Sequence, residues 1–135
     1  MKFLLDVNVL VAWGWKEHSA HARAAKWIAR ERARPATAFL TAPIPELGFV
    51  RVSVQRGAGQ VSVEEAASIL AGMLAALGDR HEFLPDNQPA KGFPPWCRSA
   101  AQTTDAHLCQ LADSHGAKLA TLDHGIPGAF VVPVS

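Results

Sequence analysis

Two patterns of apolar and polar positions alternate along this chain. Short apolar runs stand between longer stretches in which apolar side chains recur every three or four residues. The runs are typical of strands buried on both faces of a parallel sheet, and the longer period is typical of amphipathic helices. Their alternation predicts an α/β fold with a mostly parallel central sheet and helices on both of its faces.

The first apolar run, Phe3–Val11, contains one acidic residue, Asp6. We expect the strand to end at Asp6, and the apolar residues from Val9 to Trp15 predict a short helix or turn that leaves the sheet. Runs of the same type predict the later strands at Thr37–Thr41, Glu82–Leu84, Lys118–Leu122 and Phe130–Val132.

Four longer helices are predicted from the helical period and from residues that favour helix ends. They are His18–Arg34, about Pro45–Gln55, Val63–Leu77 and Asp105 to about His115. Ser62 with Glu65 predicts a capping box, and Gly78 is expected to end that helix. Thr103 or Thr104 is expected to cap the last helix.

Three features allow more than one interpretation. A row of basic residues on the first long helix is either a solvated face or a surface that follows phosphates; it comprises Arg23, Lys26, Arg30 and Arg34. Trp13, Trp15 and Trp27 are expected to pack in the core or against a protein partner, with stacking on nucleic-acid bases as the alternative. The irregular segment Pro85–Trp96 is expected to be a functional or mobile loop, in which Trp96 packs against the fold, stacks on a nucleic-acid base or gates access of a substrate.

The composition fits a folded globular protein. The 135 residues predict a single domain, 1–135, and 49% are hydrophobic while 19% are charged. A net charge of +1 gives no bulk attraction for nucleic acid, so any basic surface must be local. Cys97 and Cys109 are expected to be reduced thiols. No apolar run approaches the roughly 18 residues that span a bilayer, so we expect a cytoplasmic protein with no membrane partner.

Four acidic residues belong to separate predicted elements. Asp6 and Asp123 follow apolar strands, whereas Glu46 and Asp105 are placed in the first turns of helices. In an α/β sheet, strand ends and the following helix starts share one edge. The four carboxylates are therefore expected to meet there.

Each acid also has a simpler interpretation. Asp6 could cap a helix or form a turn, and Asp123 could form an Asx-turn before Gly125. Glu46 and Asp105 could simply favour the positive ends of helix dipoles. Only Asp6 is persuasive by itself, because its neighbours are so apolar.

Four carboxylates in one cleft would repel one another, and a divalent cation would relieve that repulsion. Oxygen ligands without His or Cys suit Mg²⁺ or Mn²⁺. Such a site is suited to in-line attack of metal-activated water on a phosphodiester, and it needs no Ser or Cys nucleophile. The pattern thus indicates a phosphodiesterase.

The segments that carry these acids also match a family in order and separation. They are Leu5–Leu10, Pro45–Val52, Thr104–Leu108 and Ala120–Gly125. The chain resembles the PIN-domain ribonucleases along nearly its whole length, and more narrowly the VapC-type toxins of type II toxin–antitoxin pairs. The resemblance implies a three-layer α/β/α fold and an endoribonuclease that depends on Mg²⁺ or Mn²⁺.

The resemblance also implies roles for individual residues. The catalytic acids would be Asp6, Glu46, Asp105 and Asp123, with Asp6 and Asp105 as direct metal ligands and the other two acting directly or through water. Asn8 would orient Asp6 or touch metal-bound water, and Thr104 would cap its helix and reach the site.

The implied partners are an RNA substrate and a cognate antitoxin. A homodimer and a toxin–antitoxin hetero-oligomer are expected. The chain departs from the family pattern before Thr104, where Arg98 is the nearest basic residue, and at His124, where a basic residue is frequent. These departures concern the positioning of RNA.

Other classes fit the sequence less well. A response-regulator receiver needs paired acids early and a Lys near the end, whereas Lys118 begins a predicted strand. A haloacid-dehalogenase-like phosphatase needs a second Asp where Asn8 stands. The main alternative is a catalytically silent PIN-like module that binds RNA or a partner, and the presence of all four acids argues against it.

Overall fold

The computed structural model describes residues 1–134 and has five strands and five α-helices in that range. The strands are β1 (Lys2–Leu5), β2 (Ala38–Thr41), β3 (His81–Phe83), β4 (Lys118–Thr121) and β5 (Phe130–Val131). The helices are α1 (Val7–Gly14), α2 (His21–Arg32), α3 (Pro43–Gly57), α4 (Val63–Leu77) and α5 (Ala100–Ser114). A single 3₁₀ turn, Gly78–Arg80, joins α4 to β3.

The strands form one parallel sheet in the order β3-β2-β1-β4-β5. Leu4, in the central strand, lies opposite Leu40 on one side and Leu119 on the other. The predicted parallel sheet is confirmed. Because all strands run in one direction, their carboxyl ends share one edge of the sheet.

Helices cover both faces of this sheet. Phe3 and Leu5 belong to one apolar core with residues of α1 to α4, whereas Leu4 belongs to a second core with residues of α5. Successive side chains of a strand point to opposite faces, so a run of apolar residues supplies both cores. The three-layer α/β/α arrangement is therefore confirmed.

An aromatic cluster fixes how α2 packs on the sheet. The Trp27 ring is 5.0 Å from Phe3, 6.1 Å from Phe39 and 5.6 Å from Phe130, between centroids, and Trp27 is 1% exposed. The expected packing role of Trp27 is confirmed. The helical period of the sequence also predicts Ala22 and Ala29 on the apolar side of α2, and this prediction was wrong, since both are exposed. The large indole removes more apolar surface from water than these alanines, so it determines which side of α2 faces the sheet.

Four helix starts differ from the prediction. α1 begins at Val7 instead of Val9, and α2 begins at His21 instead of His18. α3 begins at Pro43 instead of Pro45, since proline also fits the first helical position there. α5 begins at Ala100, with Ser99 as its N-cap residue, so the predicted cap at Thr103 or Thr104 was wrong. Alanine and glutamine are good helix formers and extend the helix upstream.

The predicted end signals of α4 are confirmed. Ser62 Oγ accepts a hydrogen bond of 3.0 Å from Glu65 N. Gly78 follows the helix with a φ of +61°, a conformation that glycine adopts without a side-chain clash.

Two expectations from composition can also be compared with the fold. Cys97 and Cys109 are both free, as predicted. Within residues 1–134, no helix has the length and apolar character needed to cross a membrane. The cytoplasmic location stays a prediction.

Candidate active site

Three of the four predicted acids surround one cavity at the carboxyl edge of the sheet. Asp6, Asp105 and Asp123 line this space of about 300 Å³. Asp6 follows β1, Asp123 lies two residues beyond β4, and Asp105 is carried by α5. We call this space the acidic cavity.

Asp6 is fixed in place by hydrogen bonds to both of its carboxylate oxygens. Val7 N donates to Oδ1 at 2.8 Å, and Thr121 Oγ1 donates to Oδ2 at 2.8 Å. The first bond makes Asp6 the N-cap of α1. Asp6 therefore caps a helix and faces the cavity, so its two interpretations are compatible.

The Thr121 hydroxyl connects Asp6 to the rest of the cavity wall. It donates to Asp6 and accepts hydrogen bonds from Asn8 Nδ2 at 3.2 Å and Asp123 N at 3.1 Å. Asn8 Oδ1 in turn accepts from Leu122 N at 3.1 Å. Asn8 thus supports Asp6 through Thr121 and not directly.

Asp123 forms the Asx-turn that its sequence context allowed. Its Oδ1 accepts a hydrogen bond from Gly125 N at 2.8 Å. The turn uses one carboxylate oxygen, so it does not prevent Asp123 from facing the acidic cavity.

Asp105 lies in the second turn of α5, because this helix begins five residues earlier. The dipole interpretation, which required the first turn, therefore does not apply. Partial burial, with the negative charges of Asp6 and Asp123, raises the pKa of Asp105 to about 6. Burial also raises the pKa of Asp6, against the opposing effect of its hydrogen bonds from Thr121 and Val7.

Glu46 does not line the acidic cavity. It occupies the first turn of α3, where its Oε2 accepts a hydrogen bond of 2.6 Å from Thr41 Oγ1. His81 Nε2 lies 2.6 Å from the same hydroxyl. Glu46 lines a second, largely apolar cavity with Leu47 and Phe83. The structure brings together three of the predicted acids, and the catalytic role of Glu46 stays a prediction.

The remaining predicted site features differ in placement. Thr104 is exposed and does not cap α5. No three Asp, Glu, His or Cys side chains within residues 1–134 converge on a single ion position. The donor chemistry of the acidic cavity nevertheless fits a hard divalent cation, since three carboxylates repel one another around it.

Several residues of the cavity were not predicted from sequence. His18, from the α1–α2 connection, and Arg56, from the last turn of α3, line the acidic cavity together with the aspartates. No local pattern marks either residue, because packing of separate segments brings them there. Thr121 could have been identified from the sequence, because it is a polar residue at the end of an apolar strand. In the structure it is fully buried.

Other candidate RNA contacts have structural partners. Arg23 Nε and Nη2 donate to the Val132 carbonyl at 3.0 and 2.6 Å. These bonds engage its guanidinium, so Arg23 is not an open phosphate contact in the predicted basic row. Trp96 is half-buried and packs against the core beneath α5. Arg98 and His124 are exposed, and their roles in RNA positioning stay predictions.

The long loop before α5 is anchored to that helix. Asp86 Oδ2 lies 2.6 Å from His107 Nε2, and Gln88 Nε2 donates to the His107 carbonyl at 3.1 Å. Gln110 Nε2 donates to the Gly92 carbonyl at 2.5 Å. Although irregular, the loop is thus held against the element that carries Asp105.

Comparison with known proteins identifies the family. The three-layer α/β/α fold, with aspartates at the carboxyl edge of its parallel sheet, matches the PIN-like class. No protein-family model matches the chain. Ribonuclease VapC39 of Mycobacterium tuberculosis is 39% identical over 129 residues, which cover 91% of this chain and 89% of the relative.

Two further relatives from the same organism agree with this result. Ribonuclease VapC38 is 36% identical over 91% of this chain and 86% of its own length. Ribonuclease VapC29 is 36% identical over 93% of this chain and 89% of its own length. The chain belongs to the VapC family of PIN-domain proteins, as its sequence motifs predicted.

Proposed function

We propose that this protein is a metal-dependent endoribonuclease and the toxin of a type II toxin–antitoxin pair. The curated relatives are named ribonucleases. The observation that carries the proposal is the acidic cavity, which Asp6, Asp105 and Asp123 line together and in which the charges of Asp6 and Asp123 act on Asp105. Such an arrangement costs electrostatic energy in the free protein and suits a cation-assisted reaction.

The proposed metal is Mg²⁺ or Mn²⁺, held by Asp6 and Asp105 with Asp123 acting directly or through water. When bound, the cation would neutralise the carboxylates and supply an activated water and charge stabilisation for phosphodiester hydrolysis.

The chain's own groups determine how the aspartates are presented. Val7 N and the Thr121 hydroxyl hold the Asp6 carboxylate in one orientation, and each of its oxygens keeps a further lone pair for a ligand. Asn8 fixes the Thr121 hydroxyl by donating to it. This arrangement limits the reorganisation that ligand binding would require.

Glu46 completes the proposed acidic quartet. Its carboxylate bonds to Thr41 in the free protein, so it would act after a side-chain rotation or through water. This part of the proposal predicts that Glu46 contributes less than the aspartates.

The test compares cleavage of transfer, ribosomal and single-stranded RNA by wild type and Asp6→Asn, in Mg²⁺, Mn²⁺ or EDTA. We expect cleavage by wild type only with metal, and its loss in the nearly isosteric variant. Equal cleavage by both proteins would indicate a contaminating ribonuclease. If both bind RNA and neither cleaves any of these substrates, the silent binding module replaces the proposed nuclease.

The proposed partner is a cognate antitoxin, and the proposed assemblies are a homodimer and a toxin–antitoxin hetero-oligomer. Expression of the chain alone should arrest growth, and expression with the antitoxin should restore it. Asp6→Asn should not arrest growth. Light scattering of the purified protein, with and without antitoxin, measures the assemblies.

A further inference from the structure

One wall of the acidic cavity carries an arginine and a histidine. Asp6, Asp105 and Asp123 lie around it with Arg56 and His18. Among the described residues that line this space, Arg56 carries the positive charge. An RNA backbone approaching three carboxylates is repelled, so a nuclease needs cationic groups beside them.

Arg56 has a partner that a phosphate could replace. Its Nη2 lies 3.3 Å from Glu17 Oε1, and the two side chains are 39% and 65% exposed. An ion pair this open to solvent contributes little to stability. The planar guanidinium can exchange this carboxylate for a phosphate with two parallel hydrogen bonds.

His18 adds a neutral donor on the same wall. Its Nδ1 accepts a hydrogen bond from Ala20 N at 3.0 Å, which assigns the ring proton to Nε2. Partial burial and the nearby Arg56 charge lower the pKa of His18, which favours this neutral form. Within residues 1–134 the His18 ring bonds only through Nδ1, and His18 lines the acidic cavity, so its Nε2–H is free to donate to a ligand.

We propose that Arg56 and His18 bind the RNA backbone phosphate beside the scissile bond. The phosphate replaces Glu17 as the ion-pair partner of Arg56. This inference rests on the proposed ribonuclease function for its substrate, but its test measures RNA binding separately from cleavage. Arg56 and His18 would position the RNA, while the aspartates carry the reaction.

The experiment measures equilibrium binding of a fluorescein-labelled single-stranded RNA in EDTA over a series of salt concentrations. Arg56→Gln should weaken binding by about tenfold. It should also reduce the slope of log K against log salt by about 0.7, the value for one phosphate contact to single-stranded nucleic acid. Arg56→Lys should retain the slope because it retains the charge.

Two further variants test the partners of Arg56. Glu17→Gln should tighten RNA binding by about two- to threefold, since it releases Arg56 from an exposed ion pair. In the double variant with Arg56→Gln, Glu17→Gln should not tighten RNA binding, because the arginine that it would release is absent. His18→Asn keeps an acceptor for Ala20 N and removes the Nε2 donor, so it should weaken binding without changing the salt slope.

Arg51→Gln is the matched control. Arg51 is exposed on the same helix and does not line the acidic cavity. If Arg51→Gln and Arg56→Gln reduce affinity and salt slope equally, the effect is general electrostatics and the inference is overturned. Circular dichroism and the urea midpoint of each variant separate a binding defect from unfolding.

Cleavage assays in Mn²⁺ distinguish this inference from the proposed function. The expected kinetic result is a raised KM for Arg56→Gln with kcat nearly unchanged. If wild type cleaves RNA and Arg56→Gln has wild-type KM and binding, the inference fails while the nuclease stands. If wild type binds RNA through Arg56 but never cleaves, the nuclease fails and the inference stands. Absence of RNA binding by wild type overturns the inference.

Discussion

Two buried threonines at the carboxyl edge of the sheet hold acidic side chains in different ways. Thr121, at the end of β4, bonds to Asp6 and also joins Asn8 and the backbone of Asp123. Thr41, at the end of β2, bonds to Glu46 and contacts His81. The same residue type, equally buried, thus supports a cluster of aspartates in one place and a single glutamate in the other.

The difference lies in what surrounds each acid. On the Thr121 side, three carboxylates share a cavity, where partial burial and the charges of Asp6 and Asp123 raise the pKa of Asp105. On the Thr41 side, Glu46 faces apolar walls, and burial lowers the pKa of His81 while Glu46 opposes that change. Position at the sheet edge therefore does not by itself bring an acid into the acidic cavity; the direction of its side chain also matters.

The largest expected effect is on RNA cleavage, when one carboxylate on the Thr121 side and one on the Thr41 side are each replaced by an amide. Asp105→Asn should lower metal-dependent RNA cleavage by about 100-fold or more, since outer-shell partners of metal ligands already contribute about 10- to 100-fold. Glu46→Gln should lower it less, because Glu46 bonds to Thr41 in the free protein. Initial rates under saturating Mn²⁺ measure both.

Asp79→Asn serves as the control, since Asp79 is exposed in the 3₁₀ turn away from either cavity. A Glu46→Gln defect as large as that of Asp105→Asn would contradict the contrast between the two sides. It would mean that the glutamate joins the aspartates during the reaction.

The second prediction concerns the threonines themselves. Thr121→Val keeps the shape but removes the hydroxyl that orients Asp6, so cleavage should fall by about 10- to 100-fold. Thr41→Val should change cleavage less. Both variants leave buried polar partners without a hydrogen bond and should lose about 1–3 kcal/mol of stability.

Thr121→Ser and Thr41→Ser retain the hydroxyls and should keep most of the activity. Kinetics and urea unfolding on the same preparations separate the catalytic from the structural effect. Equal loss of activity in the two valine variants would show that the two sides act alike.

The third prediction addresses the contact between the two sides. Gly48, on the helix of Glu46, packs so closely against α1 that an added Cβ would lie 2.5 Å from Val7 Cγ2. Gly48→Ala should therefore lose about 1–3 kcal/mol of stability through overpacking. Since Val7 N bonds to Asp6, cleavage should fall as well.

Gly72→Ala is the matched control, because nothing lies within 4 Å of the Cβ that it would add to α4. It should gain up to about 1 kcal/mol from helix propensity. Urea denaturation measures both variants, and a stable, fully active Gly48→Ala would mean that the two helices separate at no cost.

Sequence could predict the sheet and most of the aspartate cluster because both depend on local patterns. Buried runs locate the strands, and a polar residue at the end of such a run must lie at the sheet edge, as Asp6 and Asp123 do. The predicted start of α5 was wrong because two kinds of signal compete in this segment. The threonines favour a helix cap, whereas the residues before them favour a continuous helix. The direction of the Glu46 side chain and the position of Arg56 beside the acidic cavity depend on packing between distant segments. The sequence has no periodic signal for such packing.

The smallest expected effect is on stability as pH changes in the metal-free protein. Asp105 holds its proton to about pH 6 when folded, against an ordinary pKa of 3.8. Between these values the folded state binds more protons than the unfolded state, so stability falls as pH rises through this window and the loss is complete above it. Asp6, whose pKa is also raised, contributes in the same direction.

Urea midpoints in EDTA across this window test the effect. The decline should be modest because Asp105 remains partly exposed, and Asp105→Asn should reduce it, whereas Asp113→Asn, an exposed change on the same helix, should not. Adding Mn²⁺ at neutral pH should restore the lost stability in wild type, since a cation that binds only the folded state shifts the equilibrium toward it. Equal slopes in wild type and Asp105→Asn would mean that the three aspartates do not interact strongly, and the contrast with the Glu46 side would then rest on hydrogen bonds alone.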